Sequence, residues 1–165
     1  MNNTLFVCCG VPGSGKSTFL NDIAGEDDKI VSRDKIRFSL LRPGEDYFAR
    51  EHETYIKFLA EITKNIRAGF NVYADATHLN EKSRYKLLHG LHNRGCNPSE
   101  IVAIYFDVPL EVCKERNNLR LGTKTYVPEE QILKMYSAYT HPHKYEGFSN
   151  IYRIDEDGYV EEEEE

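Results

Sequence analysis

Thr4-Leu5-Phe6-Val7-Cys8-Cys9-Gly10-Val11-Pro12-Gly13-Ser14-Gly15-Lys16-Ser17-Thr18 decides the fold. Residues 5–9 are an unbroken apolar run, the pattern of a strand buried on both faces. Residues 10–17 then fit G-x-x-x-x-G-K-[ST]. Glycines in such a turn let the backbone curl until its N–H groups point inward at phosphate oxygens. Lys16 adds a point charge at the outer phosphates, and the Ser17 hydroxyl is a hard oxygen suited to Mg²⁺. A helix over 16–24 would offer its positive end to the same anion. Gly10, Pro12, Gly13, Ser14, Gly15, Lys16, Ser17 and Thr18 are therefore the expected nucleotide-binding residues. The chain has no N-K-x-D motif to read guanine, so ATP with Mg²⁺ is the expected pair.

Outward from that stretch, strands and helices alternate. Strands are predicted over 4–9, 29–32, 71–74, 101–106 and 151–154. Helices are predicted over 16–24, 34–41, 46–68, 81–94, 109–119 and 128–139. Gly25, Gly69 and Gly95 are placed to end helices, and Pro43-Gly44 breaks one. The aromatic and aliphatic side chains Tyr47, Phe48, Tyr55, Phe58, Leu59, Ile62 and Ile66 recur at roughly helical spacing and read as core. This alternation predicts a three-layer α/β fold, a parallel five-stranded sheet with helices on both faces.

Asp34 follows the second strand and Asp75 the third. In open α/β sheets the carboxyl ends of strands beside the first one line the ligand crevice. One carboxylate there can hold a metal, directly or through water, and another can take a proton from an attacking hydroxyl. An Asp that merely caps a helix, or pairs with Arg37 three residues on, would look the same in sequence. Arg116 and Arg120 are four apart, on one face if their helix persists, and arginine's planar fork suits phosphate oxygens.

These residues, in order, resemble a known family. Residues 10–18, Ser32-Arg33-Asp34-Lys35-Ile36-Arg37, Asp75-Ala76-Thr77 with Leu79-Asn80, Phe106-Asp107-Val108-Pro109, Arg116-Asn117, Arg120 and Gly122-Thr123-Lys124 are similar to the kinase domain of phage-type 5′-hydroxyl polynucleotide kinases. The resemblance implies the strand order 2-3-1-4-5 and a small arginine-bearing lid. It implies that Asp34 is the general base, that Arg37 holds the reacting phosphate, and that Arg120 clamps the donor phosphates. Lys16 completes that catalytic set, with Arg116 beside the donor and Ser17 and Asp75 on Mg²⁺. Leu121 is an extra residue between Arg120 and Gly122, so Arg116 and Arg120 both remain candidates for the clamp. His78 stands where the family often has a short polar residue.

Composition bounds the rest. The 165 residues fit one domain, and 40% hydrophobic with 29% charged residues is a globular balance. No apolar run could span a bilayer, no secretory signal is expected, and four unpaired cysteines fit a reducing cytoplasm. The net charge of −6 comes from the end: residues 155–165 hold eight of the 27 acids and no base, and without them 21 bases face 19 acids, a net of +2. Residues 1–154 are thus the expected kinase domain and 155–165 a solvated acidic tail. Residues 33–67 carry eight bases and six acids, a bias too weak for a duplex-binding surface. The expected reaction is γ-phosphate transfer from ATP to a hydroxyl, with a nucleic-acid 5′ end as acceptor. A small-metabolite or nucleoside kinase, or an ATP-hydrolysing switch, would share the donor motif.

Overall fold

The structure, a computed structural model, describes residues 3–164. β1 (Thr4–Cys9) is central. The sheet runs β2 (Asp28–Ser32), β3 (Asn71–Asp75), β1, β4 (Glu100–Phe106), β5 (Asn150–Ile154), β6 (Val160–Glu163). The first five strands are mutually parallel and in the expected order. The sixth, β6, is antiparallel to β5, so the sheet has six strands rather than five.

Side chains alternate along β1 and divide the core in two. Leu5, Val7 and Cys9 face α2 (Arg33–Leu40), α3 (Glu51–Arg67) and α4 (Glu81–Asn93). Cys8 faces α1 (Lys16–Ile23), α5 (Leu110–Asn118) and α6 (Glu129–Ala138). Phe58, Leu59, Ile62 and Ile66 form the buried stripe of α3, each side chain contributing about 1.5–3 kcal/mol by leaving water. Asn80 caps α4 in a reciprocal box with Ser83. All four cysteines are buried and free. Among the described residues no helix is long and apolar enough to cross a membrane.

Two expectations fail. The long helix starts at Glu51, not near residue 46. Residues 46–50 form i→i+3 turns, with Ala49 N–H bonded to Asp46 O and Glu51 N–H to Phe48 O. Glu45 holds that segment by accepting from the Arg42 N–H at 2.7 Å and the Arg50 guanidinium at 3.1 Å. Tyr47 and Phe48 are consequently outside the core and exposed. The acidic tail, expected as a frayed end, folds back as β6. Pairing from Ile154–Val160 to Ile151–Glu163 covers the free edge of β5. Arg153 meets Glu161 at 3.7 Å, and the Tyr105 hydroxyl donates to Glu163 at 2.6 Å. A turn at Asp157-Gly158 makes the return possible, with Asp155 Oδ1 accepting from the Asp157 and Tyr159 N–H groups.

Candidate active site

The loop after β1 is built from backbone. Gly13 and Gly15 have φ of +84° and +92°, a region that L side chains rarely enter. Contact enforces the same choice at Gly13, where a Cβ would sit 2.4 Å from the Cys113 carbonyl oxygen of α5. Lys16 Nζ reaches back across the loop to Gly10 O at 2.8 Å. Ser14 Oγ is buried with no hydrogen-bond partner. Ser17 and Thr18 are exposed at the start of α1, whose first N–H groups have no intrahelical acceptor.

The loop is bolted from below. Gly10 N–H donates to Thr77 O at 3.0 Å. His78, at φ +39°, is buried and places Nδ1 2.7 Å from Cys8 O, which as a carbonyl can only accept. Nδ1 therefore carries the proton, and Nε2 is a buried acceptor with no partner. Burial above all, with the charges of Arg33, Lys16 and Arg84, lowers His78 to about 4, against the opposing bond to Cys8 O. His78 O in turn accepts from Arg84 Nη1 at 3.1 Å, and the fully buried Arg84 pairs with Glu146 at 2.7 Å. His78 stands where the resembled family often has a short polar residue; the structure turns its ring into the core beside Phe58, where it supports the phosphate loop.

Asp75 ends β3 opposite Ser32 of β2 and Cys8 of β1. It is 8% exposed. Burial raises its carboxyl above the usual range, Lys16 opposes this, and the charge of Asp34 adds to it. Asp75 is thus coupled electrically to both the cradle lysine and the other candidate carboxylate.

Asp34 is not the cap of α2. Ser32 caps it, accepting from the Lys35 N–H at 3.2 Å, which leaves the Asp34 carboxylate free for other partners. Its Oδ1 takes Arg37 Nη1 and, at 2.8 Å, the Tyr47 hydroxyl. Among the described residues Oδ2 has no hydrogen bond, and the side chain is 61% exposed. Arg37 is buried and its fork is occupied: Nη1 also donates to the Tyr47 oxygen at 2.8 Å, while Nε and Nη2 hold Glu51 Oε2 at 3.2 and 2.7 Å. Its guanidinium lies 4.3 Å from the centre of the Tyr47 ring. In this conformation Arg37 orients Asp34 instead of offering a fork to phosphate. Burial would raise the Glu51 carboxyl, yet hydrogen bonds from Arg37 and the charges of Arg33 and Arg37 hold it below the usual range. Burial first, and the Asp34 charge second, push the Tyr47 phenol up, so it stays protonated as a donor.

The two lid arginines separate. Arg116 lies on the cradle: Nη1 would be 3.1 Å from a Cβ on Gly15, and Nη2 donates to Glu156 O at 2.8 Å. Arg120 is beyond the end of α5, in a turn closed by its N–H to Asn117 O, and makes no ion pair among the described residues. The shared helix face expected of the pair does not exist, because α5 stops at Asn118. Buried Asn117 closes the lid at its base, donating to Val127 O at 2.7 Å and accepting from its N–H at 3.0 Å.

The family model described as AAA domain matches residues 5–142. The chain belongs to that family. Within it, the fold is the P-loop kinase type, a nucleotide-binding fold. A chain of the Pnkp1/Rnl/Hen1 RNA repair complex is 24% identical with a TM-score of 0.66, covering 83% of this chain and 44% of that one. The AAA-domain chain thus spans less than half of that relative. A putative kinase from Chloroflexus aurantiacus is 16% identical with a TM-score of 0.72, covering 93% and 85%. A sugar kinase from Janibacter sp. HTCC2649 is 18% identical with a TM-score of 0.64, covering 95% and 87%. No curated protein sequence matches the chain significantly.

Sequence reasoning missed Tyr47, Glu51 and Asn117 as site residues. Two arginines four apart, Arg33 and Arg37, beside one aspartate call for a further anion, and that was the available signal for Glu51. Nothing local marked Tyr47, because its spacing fitted a helix that begins four residues later.

Proposed function

We propose that the protein is an ATP-dependent kinase that phosphorylates the 5′-hydroxyl end of an RNA or DNA strand. The observation that carries a kinase over a switch is the Asp34 carboxylate. Oδ1 is fixed by Arg37 and Tyr47, while Oδ2 is open at the carboxyl edge of the sheet. That is the arrangement a general base needs, one oxygen held and one available.

The cradle fits a nucleotide's phosphates. It is shaped by glycines where a Cβ would collide, and it encloses an orphaned Ser14 hydroxyl. Ser17 and Asp75 offer hard oxygens of the kind Mg²⁺ takes, and Asp75 is a carboxylate whose burial a cation would offset. Bound ATP with Mg²⁺ supplies the phosphoryl group and neutralises charge that develops during its transfer. Lys16 and the loop N–H groups bind and orient the outer phosphates. Asp34 Oδ2 accepts the proton of the attacking hydroxyl. Arg116 and Arg120 are the lid cations available to stabilise charge on the donor.

The 5′-end assignment is supported by the resemblance over most of the chain, by the likeness to the RNA repair complex, and by the modest basic bias of residues 33–67. The sugar-kinase likeness supports a small hydroxyl acceptor as the second reading. Labelled-phosphate transfer from ATP to a panel of 5′-hydroxyl oligonucleotides, nucleosides and sugars decides between them. Oligonucleotide labelling is expected; transfer only to a nucleoside or sugar promotes the second reading, and hydrolysis without any transfer promotes the switch.

A further inference from the structure

Beside Asp34, and sharing Tyr47 with its cluster, lies an open groove of about 540 Å³ between the α2–α3 connection and the lid. Its floor is apolar: Phe38, Leu41, Pro43 and the Tyr47 ring. Phe38 and Tyr47 meet edge to face at 6.1 Å, and Phe48, 54% exposed, continues the aromatic strip against Tyr47 at 4.8 Å. Its rim is cationic. Lys124 reaches from the lid to 5.1 Å from the Phe38 ring centre, and Arg42 also lines the groove. Neither cation has a carboxylate partner among the described residues. The one acid in the wall, Glu45, is already engaged by the Arg42 N–H and the Arg50 side chain.

We propose that this groove binds the single strand immediately behind the 5′ end, with a nucleobase on the Phe38–Tyr47 floor and the following phosphate on Lys124 and Arg42. The inference rests on the polynucleotide reading and extends it to a second acceptor subsite. Continuity sets the path: the groove begins at Tyr47, whose hydroxyl is bonded to the candidate base, so an acceptor placed on Asp34 leads its next residue onto the rings. Chemistry sets the occupant. A flat heterocycle uses aromatic surface, here exposed on Tyr47 and Phe48 and half-buried on Phe38, and a phosphodiester uses unpaired cations, the pairing by which proteins hold single strands without reading sequence. A sugar or small polyol has no second group to place there.

The test compares kcat and KM for a 5′-hydroxyl trinucleotide with those for the same trinucleotide made abasic at its second and third residues. Wild type is expected to show a KM about 5- to 100-fold lower for the base-bearing strand, the usual effect of stacking a base. Phe38→Leu is expected to raise that KM and bring the two substrates within about 2-fold of each other. Lys124→Ala, exposed in the lid and remote from the core, is expected to keep the preference for bases while lowering the slope of log KM against log salt by about 0.7. Equal KM values for base-bearing and abasic strands in wild type overturn the groove and leave the kinase assignment standing. A Phe38→Leu defect in the KM for ATP instead of the acceptor also overturns it, placing the donor's base there. Transfer to a small hydroxyl compound with none to any oligonucleotide removes both readings together.

Discussion

The donor and acceptor halves of the proposed site are built by different means. The donor half is backbone: a glycine curl whose shape comes from eight consecutive residues, stitched beneath to Thr77, His78 and buried Arg84. The acceptor half is side chain: Asp34, Arg37, Tyr47 and Glu51 converge from two helices and a connection, and Asp34 remains exposed. A backbone cradle fits one geometry, the phosphates of any nucleotide. A cluster of side chains on short connections can be refitted to a new acceptor without disturbing the sheet.

The most severe way to break the donor half is Lys16→Ala. Among the described residues its ammonium makes one bond, to Gly10 O, so the fold should survive while phosphoryl transfer falls below detection. Circular dichroism and labelled-phosphate transfer on one preparation check both halves of that statement. Asp34→Asn breaks the acceptor half alone. It keeps the shape of the carboxylate and loses its basicity, so kcat should drop about 10²- to 10⁴-fold while ATP affinity, read by calorimetry, stays within about 2-fold. A loss of ATP affinity with kcat preserved would move Asp34 to the donor side.

The halves also differ in how legible they were. The cradle could be read because its chemistry is local: glycines, a lysine and a serine at fixed spacing after an apolar strand. The parallel sheet could be read for the same reason, each strand being a compact run. Only part of the acceptor cluster could: the resemblance named Asp34 and Arg37, whereas Glu51 and Tyr47 act through contacts 14 and 10 residues from Arg37. Tyr47 also fell in phase with the α3 stripe, and only the Glu45 bonds that hold residues 42–50 in turns reveal that α3 starts later. β6 was hidden by composition, because a glutamate run has poor strand propensity and pairs here with help from Arg153 and Tyr105 on its neighbours.

Arg84 tests whether the donor half depends on its support. Arg84→Met keeps the length and apolar bulk but leaves Glu146, 4% exposed, without its guanidinium and with only the His143 N–H at 2.8 Å as a hydrogen-bond donor, so stability in urea should fall by about 3–5 kcal/mol. Below the unfolding transition the KM for the acceptor should not move, because the acceptor cluster does not touch Arg84. His78 probes the same support through pH. Its folded pKa is about 4 against the usual 6.5, so the unfolded chain binds the extra proton between those values. The stability it contributes is complete above pH 6.5 and is lost as pH falls through 4, about 3 kcal/mol in all. His78→Asn, which tolerates the positive φ, should lack that part of the acid slope in urea titrations run from pH 7 to pH 4.

The smallest effect sharpens the comparison most. Tyr47→Phe keeps the ring under Arg37 and the aromatic floor but removes the hydroxyl that donates to Asp34 Oδ1. One hydrogen bond to a charged group is worth about 1.5–3 kcal/mol, and Arg37 still holds the same oxygen, so only part of that should appear. We expect kcat to fall about 10-fold, with the KM for ATP unchanged and the KM for the acceptor within about 2-fold, since the stacking face is intact. Tyr47→Leu removes ring and hydroxyl together and should add a rise in acceptor KM to the same fall in kcat. If Tyr47→Phe leaves kcat untouched, Arg37 alone orients the base and the phenol serves only the floor. If it also raises the KM for ATP, the acceptor cluster reaches into the donor site, and the two halves are one electrostatic unit coupled through Asp34 and Asp75.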